Sequence, residues 1–269
     1  MSAQRSRRSC PPVRPIESLE DRVLFYSALA ADGSLSISTS VWNDNVLIRS
    51  EVGLVRVDEP TAAPKFYPAN KVKILLISTL EGNDVVRNET SIPTNIYTYY
   101  GNDTVFGGSG RDIIYGEAGD DVLVGGAGDD YLNTGSGTNQ AFGQAGRDSL
   151  LGGAGYDALV GGTENDTLWG NAGNDALWGE DGDDMLVGEW GNDSLFGGNG
   201  YDSLWGGDGN DRLDGGRGHD AVTGNAGTDY FVTDWIMVNG QWVNDTYAAD
   251  FMSWDASRYG VQQDVWINP

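Results

Sequence analysis

The chain has 269 residues, a formal net charge of -24 and 40 glycines, with 40 acidic against 16 basic residues. A surface this negative repels phosphate and anionic lipid, so nucleic acid and membrane surfaces are set aside as partners and cations are favoured; no apolar run approaches the roughly 20 residues of a membrane span. One Cys and one His exclude a disulfide scaffold, a four-Cys zinc site and any centre that needs two histidines.

Residues 1–31 open with Arg5, Arg7, Arg8 and Arg14 ahead of the run Leu19-Glu20-Asp21-Arg22-Val23-Leu24-Phe25. A basic start, a short apolar run and Ala28-Leu29-Ala30 read as an export signal cleaved after about Ala30, or as a disordered basic tail. The acids Glu17, Glu20 and Asp21 are unusual in such a signal. The Leu19–Phe25 words are similar to an N-terminal segment of many large secreted or envelope proteins of some bacteria. Cleavage would also remove Cys10.

Residues 32–97 alternate apolar and polar at Ser34–Ser38, Asn45–Arg49, Leu54–Val57 and Val72–Ser78, the period of half-buried strands.

The composition changes at residue 98. Residues 98–232 hold 35 of the 40 Gly and 24 of the 40 acids, but only four basic residues. Asp recurs with a period of nine, at Asp103, Asp112, Asp121, Asp130, Asp148, Asp157, Asp166, Asp175, Asp184, Asp193, Asp202, Asp211, Asp220 and Asp229, with Asn139 at the one gap. Gly stands two residues before each of these positions except at Glu164, and an apolar residue stands two after, from Val105 to Phe231. The unit is G-G-x-G-x-D-x-U-x with U apolar, in about 15 tandem copies; Gly152–Val160 is a complete one. Asp84 precedes Asp103 by two copies plus one residue, so the solenoid is expected to begin earlier, with residues 32–97 as wider coils or a cap, or else as a separate small domain.

This segment resembles the RTX, or haemolysin-type, calcium-binding nonapeptide family. The resemblance implies an all-β fold, a right-handed parallel β-roll in which each copy is a turn plus a short strand and two copies make one coil. The residues support that reading. Glycine permits a tight reversal. In x-U-x, taken as a three-residue strand, the middle side chain points inward and its neighbours outward. Single coils bury little, so stacking must make the core continuous.

Coils two copies apart stack at about 4.8 Å, which lines the Asp residues into two rows, one per edge. Like charges that close repel, so a cation is expected between neighbours. Carbonyls of glycines such as Gly108, Gly110, Gly126, Gly128, Gly153, Gly155, Gly198, Gly200, Gly207, Gly209, Gly216 and Gly218 are candidates to aim into the same gaps. Carboxylates plus carbonyls suit Ca²⁺; Mg²⁺ wants a tighter octahedron, and zinc or copper wants N or S ligands. Seven gaps in one row and six in the other set an upper estimate of about 13 ions. Asp84 is a candidate to cap the first row. Residues 134–142 form the weakest copy, with Thr134 in place of Gly and Asn139 in place of Asp, and Glu164 is expected to cost its turn the Gly geometry. The N-x-[ST] matches at Asn165 and Asn192 read as turn residues of the repeat.

Residues 233–269 read as a C-terminal cap. A hairpin on Asn239-Gly240 is expected, and Trp235, Trp242, Trp254 and Trp266 concentrate where a solenoid end needs cover. Large apolar residues also follow U on the outside: Phe106, Val124, Phe142, Val160, Trp178 and Phe196 on one face, Tyr115, Leu151, Trp169, Val187 and Trp205 on the other. These stripes are candidate surfaces for self-association or for docking a protein or glycan.

No catalytic constellation is present, and His219 reads as an exposed turn residue. The expectation is a secreted calcium-binding roll, at the cell surface or outside a bacterium, that folds on binding several Ca²⁺ and has a structural, adhesive or interaction role. The alternatives are a calcium-dependent enzyme or toxin with its chemistry in a flank, and a carbohydrate-binding solenoid.

Overall fold

The computed structural model describes residues 26–40, 42–58, 63–232, 235–238, 241–244 and 265–267. Most of the expected export segment, with Cys10, and Trp254 lie outside them. The described residues form a parallel β-solenoid with almost no helix; the one helical turn among them is a 3-10 turn at Ala69–Lys71.

The N-terminal strands are β1 (Tyr26–Leu29), β2 (Ser34–Ser38), β3 (Asn45–Glu51), β4 (Leu54–Asp58), β5 (Lys65–Pro68), β6 (Ile74–Ser78), β7 (Val85–Glu89) and β8 (Thr94–Tyr97). The repeat continues with β9 (Thr104–Gly108), β10 (Ile113–Tyr115) and β11 (Val122–Ala127), then strand by strand to β22 (Ala221–Ala226) and β23 (Tyr230–Val232). Even-numbered strands from β2 and β6 to β22, with β1 at the edge, make one sheet of 11 strands; β3, β7 and the odd-numbered strands to β23 belong to a second sheet of 13. Neighbours within the roll are parallel and offset by two copies of the repeat, as in Leu123↔Ala141 and Leu168↔Leu186.

The first coil is longer. Ser34 pairs with Ile74 and Asn45 with Val85, more than twice the regular step, because β4 and β5 fold out as an antiparallel meander at the edge of the second sheet. The next step, Val85↔Thr104, exceeds the regular one by a single residue. Tyr26–Leu29 pairs antiparallel with β2, so cleavage near Ala30 would remove an edge strand. At the other end Trp235–Val238 and Gln241–Asn244 pair as the expected hairpin, and Val265–Ile267 adds a parallel strand beside β23.

The U residues are the core. Val105, Ile114, Leu123, Leu132, Leu150, Leu159, Leu168, Leu177, Leu186, Leu195 and Leu204 are all completely buried, and Ile96, Ile77 and Ile37 on one side and Val86 and Val46 on the other continue the columns into the N-terminal coils. One expectation needs correction. The strands are not limited to x-U-x; most run on to include the glycines that follow, because those glycines also pair with the next coil, as in Gly126↔Gln144. Along β11 the inward positions are Leu123 and Gly125, so beside each U a bare glycine faces the interior.

Leu168→Ala removes a fully buried side chain that two neighbouring coils cover, so it is expected to cost about 2–5 kcal/mol, read as a lower denaturation midpoint of the folded chain.

Candidate metal centre

Each repeat Asp is buried, with at most 3% exposure. What holds it is a hydrogen bond between coils. The N–H of Asp112 donates to Oδ1 of Asp130 at 2.8 Å, Asp130 to Asp148 at 2.8 Å, and Asp166 to Asp184 at 2.7 Å. The other row runs from Asp44 to Asp84 at 2.7 Å, to Asp103 at 2.7 Å, to Asp121 at 2.8 Å, and on through Asn139 to Asp229. The expected rows are therefore present, but neighbouring carboxylates do not simply repel across a gap. Each hands one oxygen to the backbone of the coil before it. Asp44 heads the first row, and the long first coil hides it from a search for period nine. Thr94 heads the second, donating its N–H and Oγ1–H to Asp112 Oδ1 at 2.7 and 2.9 Å.

The second oxygen is the chemically open one. Oδ2 of Asp84, Asp103, Asp112, Asp121, Asp130, Asp148, Asp157, Asp166, Asp175, Asp184, Asp193, Asp202 and Asp211 is buried without a hydrogen bond. In 13 copies of the repeat, from Asp112 to Asp229, the Asp Oδ2 lies against the glycine five residues earlier, from Gly107 to Gly224. At Gly152 an added Cβ would stand 2.6 Å from Asp157 Oδ2 and 2.7 Å from the Gly170 carbonyl of the next coil; at Gly107 the distances to Asp112 Oδ2 and Gly125 O are 2.5 and 2.7 Å. Two oxygens from successive coils thus face one cradle, which a glycine leaves clear.

This cradle glycine is one position ahead of those singled out from sequence. Of the latter, Gly108, Gly126, Gly128, Gly153, Gly155, Gly198, Gly200, Gly207, Gly209, Gly216 and Gly218 take positive φ and make the turns, while Gly110 does not. Their role includes close approach: a Cβ on Gly126 would overlap the Gly108 carbonyl. Glu164 loses the Gly geometry as expected: its φ is 73, whereas glycines at the same position of other copies, such as Gly155 and Gly173, lie at 127 and 159. Its carboxylate accepts hydrogen bonds from the Gly146 N–H at 2.9 Å and the Thr163 hydroxyl at 2.7 Å.

Burial pushes these carboxyls up. Asp130 and Asp166 rise to about 8, Asp121, Asp148, Asp175, Asp202 and Asp211 to about 7, and Asp84, Asp184 and Asp193 to about 6; loss of water is the largest cause, and the backbone N–H bond opposes it. Asp103, Asp112 and Asp157 are also raised by burial, against neighbouring Thr and Asn donors. A raised carboxyl favours the fold below the unfolded pKa near 4, and that contribution is lost as pH rises through 6 to 8. Once ionised, these carboxylates lack a positive partner at Oδ2. A hard cation meets that need. Among the described residues no three His, Cys, Asp or Glu side chains converge, so an ion here would draw most of its ligands from carbonyls, a donor set that suits Ca²⁺.

Sequence reading missed a second ladder. Where Asn or Asp stands just before a repeat Asp, it accepts an N–H from the following coil: Asn102 from Asp120 at 3.0 Å, Asp120 from Thr138 at 2.8 Å, Asn174 from Asn192 at 2.8 Å and Asn192 from Asn210 at 2.8 Å. The N-D and D-D words were the available signal. Asn165, taken from sequence as a turn residue, joins this ladder by accepting from Asp183.

The outward stripes are half-buried against themselves. Trp178 stacks on Phe196 at 5.7 Å, Tyr97 on Tyr115 at 4.9 Å, and Arg87 and Arg212 cover Phe106 and Phe196. Phe142 pairs with Val124 and Val160 in the same row. His219 stacks on Tyr201.

A family model of the RTX calcium-binding nonapeptide repeat matches residues 97–132, 124–159, 133–168, 156–186, 187–222 and 205–235, just over half of the chain. The chain belongs to the RTX repeat family. No curated protein matches it. The RTX repeats coincide with the coils that carry cradle glycines, from Gly107 to Gly224. RTX repeats imply calcium binding.

Gly152→Ala fills a cradle without touching φ. It is expected to destabilise the roll by about 1–3 kcal/mol through overpacking, checked by thermal unfolding with calcium held in excess.

Proposed function

We propose that the repeat Asp carboxylates beside cradle glycines, from Asp112 to Asp229, hold Ca²⁺ at their Oδ2 edges together with turn carbonyls, and that ion loading drives folding of the roll. The observation that carries this reading is the column of buried Oδ2 atoms without a hydrogen bond. The 13 cradles set the same ceiling as the 13 gaps between Asp positions, so at most about 13 ions load. Calcium bound supplies positive charge to carboxylates that have lost water. This chain's residues supply the rest: Oδ1 ties coil to coil, the cradle glycine leaves the space clear, and U keeps the coils stacked. Because the ion binds the folded state alone, it stabilises that state by mass action.

The remaining parts of the proposal rest on the sequence. Residues 1–31 direct export to the outside or surface of a bacterium, 32–97 form the N-terminal coils, 98–232 the calcium-binding roll, and 233–269 the cap. The biological role is structural, adhesive or interactive, with the aromatic stripes as the surface concerned. Among the described residues no helix is long and apolar enough to cross a membrane.

In EDTA at neutral pH the circular dichroism spectrum of the repeat region is expected to lose its β signal and to regain it at about 10⁻⁴ to 10⁻³ M Ca²⁺. A β spectrum indifferent to EDTA, with no heat of calcium binding, would remove the proposal. Asp166→Asn keeps the Oδ1 bond but removes a charge. It is expected to lower the number of ions bound by one or two in calorimetry and to raise the calcium midpoint.

A further inference from the structure

Thr39, Thr79, Thr98 and Thr134 stand where other coils carry the cradle glycine, five residues before Asp44, Asp84, Asp103 and Asn139. All four are buried, at 3%, 0%, 0% and 0% exposure. Each hydroxyl donates to the carbonyl that closes the cradle from the next coil: Thr39 to Thr79 O at 2.9 Å, Thr79 to Thr98 O at 3.4 Å, Thr98 to Gly116 O at 3.1 Å and Thr134 to Gly152 O at 2.7 Å. In glycine coils the corresponding carbonyl, such as Gly125 O or Gly170 O, faces an empty cradle beside Oδ2.

The acids beside these threonines are also treated differently. Asp44 Oδ2 accepts both the N–H and the hydroxyl of Ser40 at 2.9 Å. Asn139 replaces the charge with an amide that donates to Asp157 Oδ1 at 2.9 Å. Three of the four threonines fall in the coils between β2 and β9, ahead of the first cradle glycine at Gly107.

We propose that these threonines plug their cradles, the hydroxyl standing in for the cation, so that the N-terminal coils fold without calcium and present a ready sheet edge on which the calcium-dependent coils stack. The inference rests on calcium binding by the glycine cradles. The physical basis is that stacking is the costly step in a solenoid: a coil gains most of its buried area from its neighbour. A preformed pair of strands, β7 and β8, removes the need to nucleate the roll from a disordered glycine-rich chain.

The test uses the full chain. Hydrogen exchange of the wild type in EDTA is expected to show amides of β2, β6, β7 and β8 exchanging at least tenfold more slowly than those of β11 to β22. Equal exchange in both regions would overturn the proposal. Native mass spectrometry in calcium is expected to show one more ion bound to Thr98→Gly than to the wild type, since Asp103 Oδ2 and Gly116 O are already in place. The double variant Thr134→Gly/Asn139→Asp provides an independent gain of one ion at a second coil. A folded variant with an unchanged ion count overturns the plug. A wild-type chain that binds no calcium at all overturns the calcium reading instead, and slow exchange of the N-terminal amides in EDTA separates the two failures.

Discussion

The structure depends on how a buried Asp divides its two carboxylate oxygens. Oδ1 accepts the N–H of the equivalent Asp one coil earlier, at about the ideal distance for such a bond. That bond ends one coil and positions the next, so the same atom sets both the turn and the stacking register. Oδ2 is left inside, out of water, beside a glycine and a carbonyl. A buried anionic oxygen without a partner costs several times what a satisfied one does. The fold repeats that cost at coil after coil, which makes the roll a structure in need of positive charge.

Around this arrangement the rest follows from geometry. The cradle glycine is not chosen for φ. In the glycine copies a Cβ would meet Oδ2 and, at positions such as Gly107 and Gly152, the next coil's carbonyl as well. The turn glycines are chosen for φ, and where another residue replaces them, as at Glu117, Glu180 and Glu189, the left-handed conformation persists at φ 73 to 77. Strain of that kind is tolerated because the coils above and below fix the backbone register. The outer Asx ladder reinforces that register from the solvent side. It runs opposite to the inner one: Asn102 accepts from the coil after it, Asp121 from the coil before.

The chain is also not uniform along its axis. The N-terminal coils bury two apolar side chains in strands such as β2, β3 and β6, with Leu35 and Ile37, Val46 and Ile48, Leu75 and Ile77. The repeat coils bury one Leu and a glycine per strand. Apolar burial therefore carries more of the stability at the N-terminal end, and electrostatics carries more of it in the repeats.

Much of this was legible in the sequence, for a physical reason. A period of nine puts Leu168, Leu186 and Leu204 in one register with the repeat Asp residues, and the resemblance to RTX repeats implied the two-copy coil that stacks them, so the sheet pairing, the core and the two Asp rows were expected from the sequence and its resemblance together. The tertiary structure decided what depends on atoms from different coils meeting. It assigned one carboxylate oxygen to the backbone and left the other open. It placed Gly107 and Gly152, rather than Gly108 and Gly153, beside the carboxylates, and it brought Asp44 into a row across the long first coil. It also showed Thr98 and Thr134, ordinary or merely irregular in the repeat, to be hydroxyls set where other coils leave space. Spacing reports which residues share a row; only the stacked backbone reports which of their atoms face each other.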